Sequence, residues 1–102
     1  MVDIIENNID RIIDLCKQHQ VNAISVFGSA ARNKLSASSD IDFLVHFSEE
    51  IEVLDYADNF FAFKEGLEEI TGKEIDIIST KSLKNPVLAE EINRTKVDLY
   101  AA

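Results

Sequence analysis

Two aspartates one residue apart, Asp40 and Asp42, stand at the head of the run Asp-Ile-Asp-Phe-Leu-Val-His-Phe. On a strand both carboxylates point to the same face, with Cα atoms about 6.5–7 Å apart. Carboxylates facing one another in an apolar setting are costly, and a bound cation is a natural compensation. Alone, an Asp-x-Asp pair is a weak metal signal, because half-exposed strands produce it often. Just upstream, the apolar run Ile24-Ser25-Val26-Phe27 ends in Gly28-Ser29. Gly28 lets a ligand approach the backbone with no Cβ in the way, and Ser29 offers a hydroxyl and a helix N-terminus whose free N–H groups favour phosphate. By itself this is an ordinary capped turn. Beside the paired aspartates it points to a phosphate cradle next to a metal platform. Two-metal phosphoryl or nucleotidyl transfer needs a third carboxylate. Asp76 is the best candidate, since it interrupts the apolar strand Ile75 to Ile78, where a lone aspartate requires a partner, solvent or metal. Glu74, on the same face, reads as an exposed acid at the strand start.

The elements that must position these residues follow from periodicity. Ile5, Ile9, Ile12, Ile13 and Cys16 recur at helical spacing, which predicts one amphipathic helix over residues 3–19. A strand is expected at 22–27, one helical turn at 30–32 capped by Ser29, and a loop at 33–39. Residues 40–47 alternate, with Ile41, Phe43, Val45 and Phe47 facing the core and Asp40, Asp42, Leu44 and His46 facing away. Only about a dozen residues separate these strands, the lower limit for a parallel crossover, so an antiparallel or mixed pairing is expected. A helix over 52–71 ends at Gly72 as its C-terminal cap. A strand at 74–78, a helix opened by Pro86 and running to Arg94, and a short strand at 97–100 complete the chain. The fold class is α+β, a small, largely antiparallel or mixed sheet of three to four strands flanked by helices.

The helix at 52–71 carries two adjoining apolar stripes, Tyr56, Phe60, Phe63, Leu67 and Ile70 on one line and Leu54, Ala57 and Phe61 on the other. A broad core contact is the favoured reading. The alternative is that part of this aromatic surface receives a partner protein. His19 and His46 have no metal-ligand spacing to another His or Cys and are read as exposed or strand-end residues.

With 102 residues, the chain is read as one domain over 1–102. Hydrophobic residues at 46% and charged residues at 28% are too apolar for a disordered chain. No apolar run approaches the roughly 18–20 residues of a membrane span, and the N-terminus lacks the basic flank of a signal peptide, so a cytoplasmic location is expected. Cys16 is the single cysteine, on the apolar stripe of the first helix, which excludes an internal disulfide and favours buried filler. A net charge of −9 without clustered basic residues disfavours a polynucleotide substrate and suits a basic protein partner or a metal-chelated nucleotide.

Taken together, Gly28-Ser29, Ala31-Arg32, Ser39-Asp40-Ile41-Asp42-Phe43-Leu44-Val45 and the downstream Glu74-Ile75-Asp76-Ile77-Ile78 resemble the minimal nucleotidyltransferase family of the DNA polymerase β superfamily over nearly the whole chain. The resemblance implies a nucleotidyltransferase fold. It implies Asp40 and Asp42 as ligands of two magnesium ions, Asp76 as the third carboxylate that activates the attacking hydroxyl, and Gly28 with Ser29 as triphosphate contacts. Arg32 matches a position the family uses for phosphate. One departure is Asn33, where many relatives have Gly; Asn tolerates the left-handed conformation nearly as well.

Small members of this kind are similar to antitoxins encoded beside an all-α HEPN-type ribonuclease toxin. That similarity implies transfer of AMP from ATP to a toxin hydroxyl, a tyrosine, adding bulk and negative charge near the toxin's RNA site. It also implies a hetero-oligomer with the toxin. The competing reading is a binding module that neutralises its partner by occlusion.

Overall fold

Strand β2 (Ile41–Phe47) sets the frame. Its alternation buries Ile41, Phe43, Val45 and Phe47 on the core side, as expected. The computed structural model describes residues 2–32 and 40–102. The expected loop at 33–39, and Asn33 within it, lie outside the described residues. Strand β1 (Val21–Phe27) pairs antiparallel with β2, Phe27 opposite Asp42. Strand β3 (Ile75–Ser79) pairs parallel with β2 on the other side. Strand β4 (Val97–Ala101) closes the order β3-β2-β1-β4, antiparallel to β1. The short link forces β1 and β2 antiparallel, whereas the long crossover helix α3 (Val53–Thr71) lets β3 run parallel to β2. The sheet is therefore mixed.

The N-terminal helix is divided. Helix α1 (Asp3–Glu6) and helix α2 (Ile9–Gln18) are separated by a turn at Asn7-Asn8. The Asn8 side-chain Nδ2 donates to the Ile4 carbonyl at 2.8 Å, the local competition with the backbone that makes asparagine a poor residue inside a helix. The break frees the start of the chain to reach the sheet. There the Val2 N–H donates to the Ala30 carbonyl at 3.2 Å, tying the N-terminus to the turn that leaves β1.

Helices α2 and α3 cover the core face of the sheet. Ile12, Cys16, Phe63 and Leu67 join Ile24, Val26, Phe43, Val45 and Ile75 in one buried cluster. Each fully buried large side chain contributes roughly 1.5–3 kcal/mol of transfer free energy. Gly66 lets α2 and α3 meet closely, since a Cβ there would lie 2.7 Å from a Leu15 methyl. Asn59 Nδ2 fastens the same pair by donating to the His19 carbonyl at 2.7 Å.

Of the two stripes on α3, only the inner one packs. Phe63 and Leu67 are fully buried, and Tyr56 meets Phe47 edge-on and Phe60 meets it at a tilt, with ring centroids 5.4 and 5.8 Å away. Leu54 and Phe61 remain 92% and 59% exposed, so the broad core contact expected over both stripes is not formed. A helix lying on one sheet face buries a stripe little wider than about 100°, and the second stripe falls outside it. Gly72 caps α3 in the left-handed conformation (φ 68°), its N–H donating to the Glu68 carbonyl at 2.8 Å. Helix α4 (Pro86–Thr95) opens as expected, with the Asn85 side chain accepting from the N–H groups of Val87 and Leu88.

Candidate active site

The parallel register of β2 and β3 places Asp42 directly beside Asp76, and Ile41 beside Ile75. Asp42 thus has Phe27 of β1 on one flank and Asp76 on the other, while Asp40 precedes it by two residues on the same strand line. Asp40 and Asp76 are exposed and Asp42 is half-buried. Burial pushes the Asp42 carboxyl above its ordinary range, and the charges of Asp76 and then Asp40, with a side-chain hydrogen bond to Asp76, push it further. The two neighbouring carboxylates therefore act on Asp42, the half-buried one.

Gly28 forms the other wall. It leaves β1 with φ 70°, and a Cβ built on it would stand 2.7 Å from Asp42 Oδ2. Only a glycine both adopts this conformation without strain and leaves the carboxylate its place. Residues 28–32 form a turn closed by the Arg32 N–H donating to the Gly28 carbonyl at 3.3 Å. No helix follows Ser29 among the described residues, so its expected role as a helix cap is not realised there; Ser29 is half-exposed on the turn and Arg32 lies at its end.

The donor set is all carboxylate, which suits a hard, oxygen-seeking divalent cation. The raised Asp42 carboxyl fits the same conclusion, since a cation offsets both the burial and the neighbouring negative charges that raise it. Among the described residues no group of three acidic, His or Cys side chains is placed so that it could hold a metal ion; Asp42 and Asp76 lie side by side and Asp40 stands two residues away. Glu74 is exposed at the start of β3, as expected, and contributes a main-chain carbonyl to the Ile41 N–H at 3.1 Å.

The same sheet face carries a second polar group that periodicity alone does not single out. Ser25 Oγ donates to Asp98 Oδ1 at 2.6 Å, and the Lys96 ammonium bonds the same carboxylate. The Lys96 bond, then the Ser25 hydroxyl, hold the Asp98 carboxyl below its ordinary range. His46 is not a free strand-end residue: it is half-buried, with Nδ1 2.7 Å from Thr80 Oγ1. Together with Leu44, Ser25 and Lys96 it lines a cavity of about 290 Å³. The alternation that pairs His46 with the face of Asp42 is the available signal. His19 is structural, its ring centroid 5.9 Å from that of Phe63 and its Nδ1 3.1 Å from the Leu15 carbonyl.

Against known proteins, the family model for polymerase beta nucleotidyltransferases matches residues 10–102. A Methanocaldococcus jannaschii protein named provisionally as a protein adenylyltransferase is 40% identical over 89 residues, 87% of this chain and 90% of its own length. A solved structure described provisionally as a minimal nucleotidyltransferase superposes with a TM-score of 0.76 at 33% identity, covering 95% of each chain. An MNT antitoxin solved in complex with a tri-AMPylated Shewanella oneidensis HEPN toxin superposes with a TM-score of 0.65 at 18% identity, covering 95% of this chain and 72% of the other, a likeness of fold.

Proposed function

This chain belongs to the polymerase beta nucleotidyltransferase family and is a nucleotidyltransferase, and from that premise we propose that it transfers AMP from ATP to a tyrosine hydroxyl of a HEPN-type toxin and so neutralises it. The observation that carries the reading is the register that sets Asp42 against Asp76, with the Gly28 backbone closed onto the Asp42 carboxylate. In this reading Asp40, Asp42 and Asp76 would hold two magnesium ions. Bound magnesium supplies neutralisation of triphosphate charge and a more acidic acceptor hydroxyl.

The chain's own residues do the rest. Gly28 brings main chain up to the phosphates with no side chain between them, Ser29 adds a hydroxyl, and Arg32, at the end of the turn, pairs with a phosphate oxygen. Asp76 sits on the edge strand β3 and is exposed, so it meets a hydroxyl arriving from outside the domain. It accepts the proton of that hydroxyl. The freed oxygen forms a bond to the α-phosphorus, the bond from that phosphorus to the bridging oxygen breaks, and pyrophosphate leaves. The added phosphodiester brings negative charge to a toxin surface built to bind RNA. No helix of the described residues is long and apolar enough to cross a membrane.

The name of the Methanocaldococcus relative and the AMPylated state of the Shewanella toxin complex support AMP as the group and a HEPN protein as the acceptor. A second reading, neutralisation by complex formation without transfer, draws on the exposed apolar residues Leu54 and Phe61 of α3. Incubating the protein with α-labelled ATP, magnesium and its cognate toxin separates them. Label on the toxin that disappears with Asp42→Asn supports transfer. An unlabelled toxin that is still inactivated, equally well by Asp42→Asn, refutes transfer and leaves complex formation.

A further inference from the structure

Along the free edge of β3 runs an apolar groove of about 580 Å³. Phe60 and Phe61 of α3 form one wall, Leu83 and Leu88 the other, and Ile77 and Ile78 of β3 the floor. A second pocket of about 240 Å³ shares Tyr56 and Ser79 with it and extends the trough to Val53. Volumes of this order accept several buried side chains. Scattered exposed apolar residues need no explanation, but here they are concentrated. Among the described residues, the large apolar side chains left exposed are Val53, Leu54 and Phe61 on α3 and Val87 and Leu88 at the start of α4, the two elements that flank the groove.

Charge and position select the occupant. On α3 the spacing i, i+4, i+7, i+11 aligns Leu54, Asp58, Phe61 and Glu65, so exposed acids alternate with exposed apolar groups along one rim. Glu50, Glu52 and Asp55 add exposed negative charge at the head of the same helix, whereas Glu49 is paired with Lys81 at 4.0 Å and Lys84 lines the groove beside Leu83, so the acidic rim is the α3 side. A complementary partner presents apolar side chains flanked by lysine or arginine. The floor includes Ile77, the residue after Asp76 on the edge strand; the two side chains point to opposite faces of the sheet, so a partner seated in the groove reaches Asp76 by wrapping round the free edge of β3.

We propose that this groove is the docking site of the acceptor protein, which enters it through an apolar segment flanked by basic residues; the proposal rests on the protein-acceptor reading above. Docking here makes transfer selective for the bound protein and holds its hydroxyl near Asp76 between turnovers.

The test measures binding and transfer separately, using the purified HEPN-type partner as the probe. Phe61→Lys combined with Leu88→Lys places like charge against a basic segment, and both positions are exposed, so circular dichroism and the thermal midpoint report an intact fold. Partner affinity is expected to fall at least about 30-fold, the effect of losing a central anchor. Asp42→Asn is expected to keep the complex while losing transfer. A benzoylphenylalanine photocrosslinker at position 61 should join the two proteins, whereas one at Gln18 on α2 should not. Partner affinity unchanged within twofold, crosslinking from position 18 alone, or self-association of the parent abolished by the double substitution with partner binding intact, each overturns the groove assignment and leaves the transfer reading standing. A parent that binds the partner through the groove and never labels it refutes the transfer reading while the docking site stands.

Discussion

Replacing Gly28 by alanine tests the link between backbone and catalysis most directly. Two costs separate cleanly. The left-handed backbone, with φ 70°, disfavours any Cβ by roughly 1–2 kcal/mol. For a domain of this size each kcal/mol lowers the melting temperature by about 4–8 °C. The second cost is geometric: the new Cβ stands 2.7 Å from Asp42 Oδ2, where ordinary contact begins at 3.4 Å, so the carboxylate must retreat by the difference, 0.7 Å. A carboxylate can swing aside cheaply, which makes the retreat invisible in stability. It is not invisible in rate, because a displacement of about 1 Å in a reacting constellation costs on the order of 100-fold. A fall in kcat/KM of roughly 10- to 100-fold is expected for the shorter retreat. Gly72→Ala is the matched control, since Gly72 has φ 68° with nothing within 4 Å of the new Cβ. It should lose similar stability and keep its rate. Label transfer under single-turnover conditions, alongside thermal unfolding of both variants, makes the comparison. Gly28→Ala at within threefold of the parental rate, or Gly72→Ala losing as much, would refute the assignment of Gly28 to the carboxylate's wall.

Four further outcomes are expected. Magnesium should raise the melting temperature of the parent and leave that of Asp42→Asn unmoved, a readout independent of turnover. Because burial first, then Asp76 and Asp40, hold the Asp42 carboxyl above its ordinary range, the folded state keeps that proton to higher pH than the unfolded state does. The associated stability is present at low pH and is lost as pH rises through the folded value, so Asp42→Asn should be the more stable metal-free protein at neutral pH and the advantage should vanish in acid. Asp98 has the opposite sign: Lys96 and Ser25 hold its carboxyl low, so Asp98→Asn should lose stability at neutral pH, with the difference from the parent closing as pH falls through the folded value. Denaturant melts across a pH series measure both. Cys16 is fully buried and its thiol is pushed up to about 12, so a thiol reagent should label it only as fast as the protein unfolds; rapid labelling under native conditions contradicts its place in the core.

Much of the architecture is legible because local pattern and tertiary outcome agree. The alternation over β2, the Gly72 cap and Pro86 at the first turn of α4 each act through neighbouring residues, and each appears where the pattern puts it. The break at Asn7-Asn8 escapes the pattern because hydrophobic spacing runs straight through it, while the decisive event is one side-chain bond to Ile4. The outer stripe of α3 misleads because periodicity reports that a face is apolar and is silent about what covers it. For the site, alternation puts Asp40 and Asp42 on one face, but their conjunction with Asp76 depends on a strand register that local pattern does not encode. The Ser25–Asp98 bond joins residues 73 positions apart, beyond the reach of any spacing rule.

The pairing of β2 with β3 also carries information about the quality of any sample of this protein. Because side chains alternate, sliding β3 by one residue would turn Ile75 and Ile77 outward and drive the Asp76 carboxylate into the layer that holds Phe63 and Leu67. An unpaired carboxylate there costs several kcal/mol, a large share of the roughly 5–15 kcal/mol that stabilises a whole domain. A misaligned chain therefore fails to fold instead of persisting as a native-looking but inert competitor. Folding thus acts as a proofreading step for the register that sets Asp42 beside Asp76, and on the proposed reading a magnesium titration should saturate every folded molecule.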